Sequence, residues 1–206
     1  MVKVKEAKEP TIIQSEFDIL DVAKPYVAQI KIQGACPFLF HRWSCDDIES
    51  KANAKKGSKE KKTDNLESFV YRNEKGQLCI PGEYLRMAII YASKFKSDPR
   101  SPRKSAFDLF KAGVVPITDL APLNGGQKEW DMIDRRRVVI QRSGITRQRP
   151  AMQTGWTAEI DLQVLAPEYI DQNLLYEVLS MAGRLIGVGD FRPTFGRFNI
   201  VGYSIS

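Results

Sequence analysis

Six arginines and no acid fall within 135–149 (RRRVVIQRSGITRQR). Arg135, Arg137, Arg142, Arg147 and Arg149 are candidate phosphate ligands, because a planar, permanently charged guanidinium matches phosphate geometry. In a strand, residues two apart share a face, so Arg135 and Arg137 project together. Arg142, Arg147 and Arg149 are expected around a turn at Ser143 and Gly144. The segment contains nothing to relieve its own repulsion. Phosphates would do so. Glu129, Asp131 or Asp134 just upstream would also do so, and the arginines would then form a solvated, ion-paired hairpin.

A second candidate is 187–198 (GVGDFRPTFGRF). Gly187, Gly189 and Gly196 allow positive φ or close backbone approach. Phe191, Phe195 and Phe198 are interleaved with Arg192 and Arg197. That composition suits stacking of bases with charge contacts to a phosphate chain. The glycines follow a helix rather than open one, so this is not a dinucleotide fingerprint. Capping of that helix accounts for part of the pattern, and at least one phenylalanine is expected in the core.

His41, Arg42 and Trp43 form a basic, aromatic tip. His41 is the single histidine and could serve as a general base. No partner for it is evident in the sequence, so a surface or contact residue is the simpler reading. Lys55 and Lys56 lie in 51–62 (KANAKKGSKEKK), which holds six lysines and one acid. Such a run is either a solvated loop or a phosphate-contacting one. Asp64, just past it, is a candidate cleavage acid, with a solvated loop residue as the plainer alternative.

These segments must be carried by a packed core. Residues 26–34 alternate apolar and polar, as a half-buried strand does. Residues 68–80 read as a hairpin around 73–76. Residues 81–94 begin with a helix-start proline and place Leu85, Ala88, Ile89 and Ala92 on one face. Residues 94–104 read as a basic, proline-punctuated loop, 105–112 as a short helix and 114–120 as a strand. Two strands are expected at 137–145 and 156–165, then a helix capped by Asp171 and running to about Leu185, then a strand at 198–205. Without its insertions the order is βαββαβ, which predicts an α+β, ferredoxin-like (RRM-like) single domain over 1–206. Residues 1–15 are an arm, 44–66 a basic inserted loop and 135–156 a basic hairpin.

The 206-residue chain is 43% hydrophobic and carries a net charge of +6. It is long enough for one sizeable core, and its basic balance favours a polyanionic partner. No stretch approaches the roughly 18 apolar residues of a membrane span, and the N-terminus lacks a signal core. The expectation is a cytoplasmic protein without a membrane partner. Cys36, Cys45 and Cys79 are scattered and read as reduced thiols. With one histidine they do not supply a zinc site, so neither metal nor cofactor is expected.

Four segments carry a family likeness. Residues 80–86 (IPGEYLR) resemble the "IPGSSLKG" helix start of the CRISPR-associated RAMP superfamily. Residues 108–120 resemble its "LFG" segment with the strand and aspartate that follow. Residues 138–156 resemble its "IDR.TG.A" hairpin, and 187–198 its closing "GG..SRGFGRV" loop. The ending is also similar to the "GDWRP…FGRF" of phage-encoded proteins. The resemblance is to the backbone, guide-RNA-binding type of subunit in a minimal form. It implies an RRM-like palm that assembles head-to-tail along the strand as a homo-oligomer, with other ribonucleoprotein subunits as partners in antiviral defence. It implies RNA contacts at Arg86, at 142–147 and at 187–197, and it places the cleavage aspartate nearest to Asp64. Glu83-Tyr84 replaces the paired serines, Gln141 stands where an aspartate is usual, and Asp190 and Pro193 stand in a loop without the serine–arginine pair.

Three readings follow. The leading one is a single-stranded nucleic-acid-binding protein, RNA before DNA, acting as a binding module rather than an enzyme. The second is a RAMP-type endoribonuclease using His41 or Asp64. The third is an interaction protein, or a mimic of a RAMP complex subunit, that binds no nucleic acid.

Overall fold

The computed structural model describes residues 24–42, 53, 65–140 and 143–206, and for 138–140 and 143–145 it describes the backbone pairing alone. Trp43, Lys55, Lys56, Asp64, Arg142, the 1–15 arm and nearly all of the 44–66 loop lie outside the described residues.

The chain opens with strands β1 (Tyr26–Gly34) and β2 (Phe38–Leu39), then the short pair β3 (Tyr71–Arg72) and β4 (Leu78–Pro81). Helix α1 (Gly82–Ala92) follows, then β5 (Ser97–Asp98), β6 (Ser101–Ser105), helix α2 (Phe107–Gly113), β7 (Val114–Pro116) and β8 (Leu120–Pro122). A long hairpin, β9 (Met132–Ile140) and β10 (Ser143–Met152), leads to β11 (Thr157–Val164), helix α3 (Gln172–Met181) and β12 (Phe198–Ile205).

The central sheet has the antiparallel order β12-β1-β11-β7. Register places Ala28 opposite Leu162, Ile30 opposite Ile160 and Ile32 opposite Ala158. All six are buried and form the face covered by α1 and α3. Leu85, Ala88, Ile89 and Ala92 of α1 are fully buried, as their three-and-four spacing requires. Asp171 caps α3, its carboxylate accepting from the Leu174 amide at 2.7 Å; this satisfies one of the orphan donors at the helix start. The fold is thus α+β, with helices on one face of an antiparallel sheet. None of the described helices is long and apolar enough to cross a membrane.

The other face of the sheet is polar. Gln29, Lys31 and Gln33 alternate with the core residues, opposite Asp161, Glu159 and Thr157. Lys31 and Glu159 form an exposed ion pair at 2.7 Å.

Several expected elements differ in detail. Residues 137–145 are not one strand. Ile140 pairs with Ser143, so the segment straddles the end of a hairpin whose arms run back to Met132 and on to Met152. Ser143 and Gly144, expected at a turn, are paired within β10 against Ile140 and Val139. Residues 114–120 divide between two sheets, β7 pairing with β11 and β8 with β4. Pro116 has no amide to continue the ladder, and the Asp161 amide donates to Thr118 Oγ1 at 2.9 Å instead. The loop at 94–104 contains the β5–β6 pair, with the Asp98 carboxylate accepting from both the amide and the side chain of Arg100. Helix α3 gives way at Met181 to a wide turn, Ala182–Ile186, that leads into the glycine loop.

Trp156 links the sheet to the Cys36–Phe40 segment on which that loop rests. Its indole N–H donates to the Cys36 carbonyl at 3.0 Å, and its ring lies 5.4 Å from Phe38, which meets Phe40 edge-on at 4.8 Å. Replacing Trp156 by Phe leaves the Cys36 carbonyl without its buried donor and opens a void. We expect a loss of about 2–3 kcal/mol, read as a fall in Tm of about 2–4 °C per kcal/mol.

Candidate nucleic-acid interface

The segment from Cys36 to Arg42 is the floor on which hairpin and glycine loop meet. On one side Phe38 and Leu39 pair with β10, and the Phe40 amide donates to the Pro150 carbonyl at 3.1 Å. On the other, the Asp190 amide donates to the Leu39 carbonyl at 3.1 Å and the Gly196 amide to the Pro37 carbonyl at 2.8 Å. Two glycines are required by this close approach. A Cβ on Gly189 would lie 2.6 Å from the Leu39 carbonyl oxygen, and one on Gly196 would lie 1.7 Å from that of Val188. Both also have positive φ, a region that L side chains seldom occupy. Gly187 ends the wide turn with its amide donating to Ala182 at 2.8 Å.

The clamp between loop and hairpin is ionic. Arg149, only 5% exposed, donates from Nε to Asp190 Oδ2 at 2.8 Å. Its guanidinium carbon lies 4.3 Å from the centre of the Phe69 ring. Its Nη1 is buried without a hydrogen-bond partner among the described residues. The other Asp190 oxygen accepts from the Phe191 amide at 3.1 Å.

Strand alternation divides the hairpin arginines between two faces. Register sets Arg147 opposite Arg136 and Arg149 opposite Asp134, so these four share the face that meets the glycine loop. Arg136 chelates Asp134 at 2.5 and 2.7 Å and lies over the Phe195 and Phe191 rings at 4.4 and 5.3 Å. Arg135 and Arg137 are exposed on the opposite face with Gln148 and Thr146. Arg136, absent from the sequence-based candidates, is therefore the hairpin residue that lies over the loop's Phe191 and Phe195 rings. Its signal was the spacing of Asp134 and Arg136, two apart in a strand.

His41 and Arg42 join this cluster. His41 stacks on Phe69 with centroids 6.3 Å apart, and its carbonyl accepts from Tyr84 Oη at 2.7 Å. Arg42 lies 5.7 Å from the Tyr71 ring centre, and Tyr71 meets Tyr84 edge-on. Burial lowers the His41 pKa below its usual 6.5, Asp190 opposes that, and Arg149 and Arg147 reinforce it. Burial chiefly, then Tyr71 and Asp190, push the Tyr84 hydroxyl far up, with Arg192 opposing.

Arg192 is exposed on the loop, and Phe191 is exposed with φ of 53°. Phe195 is half-buried and Phe198 is core. Arg197 is exposed, and its backbone bonds Ala35 and Cys36. Arg86 stands apart. Its three guanidinium nitrogens donate to the Val114 carbonyl, to Glu83 and to the Lys111 carbonyl, all within 2.8 Å. That engagement ties α1 to the end of α2. Among the described residues no cluster of three or more His, Cys, Asp or Glu is placed to hold a metal ion.

No protein-family model matches the chain, and no curated protein matches it in sequence. Among solved structures it is similar in fold to a chain in the cryo-EM structure of the Type III-B Cmr-beta bound to cognate target RNA. The TM-score is 0.55 at 8% identity, covering 91% of this chain. The chain spans about 63% of the length of that neighbour.

Removing Asp190 strands a buried guanidinium. Asp190→Ala should cost about 3–5 kcal/mol, and adding Arg149→Met should recover part of it. Urea unfolding in a double-mutant cycle measures the coupling. For His41, the folded protein binds its proton less readily than the unfolded chain. Its stabilising contribution is present above pH 6.5 and is lost as pH falls through the lower folded value. Wild-type stability should therefore decline relative to His41→Asn on acidification from about pH 7 to about pH 5.

Proposed function

We propose that this protein binds single-stranded nucleic acid, RNA before DNA, along the seam between the β9–β10 hairpin and the glycine loop. One observation carries the reading: Arg147, Arg192, Arg42 and His41 surround exposed and half-buried aromatic rings at that seam, with the ion-paired Arg136–Asp134 and Arg149–Asp190 between them. Cations follow a phosphate chain and rings take unstacked bases. On the polar sheet face Lys31 is ion-paired with Glu159 and flanked by Gln29 and Gln33, so the seam is favoured over the sheet surface on which RRM domains stack bases.

The strand order β12-β1-β11-β7, with α1 and α3 on its crossovers, supports reading the core as ferredoxin-like. The fold neighbour comes from a complex bound to target RNA, which makes an RNA ligand the first to test. Assembly along a strand, with copies of this chain or with other subunits, belongs to the same proposal, as does a location in the cytoplasm.

Fluorescence anisotropy with a labelled 40-mer tests it. Affinity should fall steeply with salt, the slope losing about 0.7 for each phosphate contact removed. Arg147→Glu with Arg192→Glu, both on the seam, should weaken binding at least tenfold with the far-UV spectrum retained. Salt-independent affinity, or no binding to RNA or DNA, overturns the reading. Cut RNA that disappears with His41→Ala would make the site a ribonuclease instead.

A further inference from the structure

Beside the seam runs an open groove of about 600 Å³ between α1 and the glycine loop, lined by His41, Tyr91, Lys94, Phe95, Phe191 and Arg192. Three of these rings are left in water: Phe95 is 62% exposed, Tyr91 39% and Phe191 37%. Leu185, 41% exposed, adds to the same wall. Large apolar side chains gathered at one concavity, rather than scattered, mark a surface that something covers.

Phe191 is the second observation. Its φ of 53° is left-handed, a conformation that disfavours a bulky side chain and is tolerated where surrounding contacts enforce it. Those contacts are present. The Phe191 amide donates to Asp190, its carbonyl accepts from the Phe195 amide at 3.1 Å, and Arg136 sits over its ring. The loop thus spends several interactions on holding an aromatic ring at the groove in water.

The charges select the occupant. Lys94 lies 5.1 and 4.8 Å from the Tyr91 and Phe107 ring centres. Neither Lys94 nor Arg192 makes an ion pair with another described residue. A purely apolar partner would bury or ignore these cations. A nucleotide uses both features, presenting a flat π-face to the rings and flanking phosphates to the lysine and arginine. The groove volume also falls in the range of small-ligand sites.

We propose that this groove is a base-stacking subsite that takes one unpaired nucleobase displaced from the bound strand. The proposal rests on the single-strand-binding reading and adds to it a contact that is independent of phosphate charge.

Two oligomers of equal length and charge test it, oligo-uridine and an abasic phosphodiester chain with no bases. The base-bearing oligomer should bind about tenfold or more tighter, as one stacking contact allows. Phe95→Ala should shrink that advantage. So should Phe191→Asn, chosen because asparagine tolerates the left-handed region. Neither change should alter the salt slope. Equal affinity for the two oligomers, or an advantage untouched by both variants, overturns the subsite while leaving phosphate binding at the seam intact. Binding of neither oligomer overturns subsite and seam together.

Discussion

The Arg149–Asp190 pair joins the β10 arm of the hairpin to the glycine loop. Met152 of the hairpin and Val188 of the loop are buried in the core, and a guanidinium at 5% exposure between the Asp190 carboxylate and the Phe69 ring adds a direct ionic contact between the two. The cost of desolvating the ions is offset in part by the 2.8 Å hydrogen bond and by the π-face, while Nη1 has no partner among the described residues. Asp190 also accepts from the Phe191 amide and, with Arg149, acts on His41, whose pKa burial chiefly lowers.

Around this clamp the molecule separates scaffold from surface chemistry. The central sheet contributes Ala28, Ile30 and Ile32 to the core and leaves Gln29, Lys31 and Gln33 outside. Its job is to hold the Cys36–Arg42 floor, through Trp156 and Phe38, at a fixed height against the glycine loop. The close approach of that loop leaves no room for a Cβ at Gly189 or Gly196. The glycines therefore serve packing first, and the aromatic and basic residues between them become surface.

The sequence reading put Arg135 and Arg137 on one face, as the register does, and passed over Arg136. The hairpin register places Arg136 on the loop side and the other two on the far side. Likewise Arg86 has the composition of an RNA ligand, but the carbonyls of Lys111 and Val114 and the Glu83 carboxylate occupy it. Partners of this kind are distant or local choices that residue type does not reveal. The same limit applies to His41, whose neighbours Asp190 and Arg149 lie more than a hundred residues away in the chain.

What the sequence by itself determined was local: the alternation of β1, the apolar stripe of α1, the Asp171 cap, the hairpin before α1 and a basic, aromatic character in two segments. Each of these follows from periodicity or from a side chain bonding its own backbone, and neither depends on distant residues. Only the tertiary structure decided which arginines face the loop, that Phe198 is core while Phe191 is in water, and that 114–120 divides between sheets. These outcomes turn on strand register and on which distant groups compete for the same hydrogen bonds, and both are set by the packed whole.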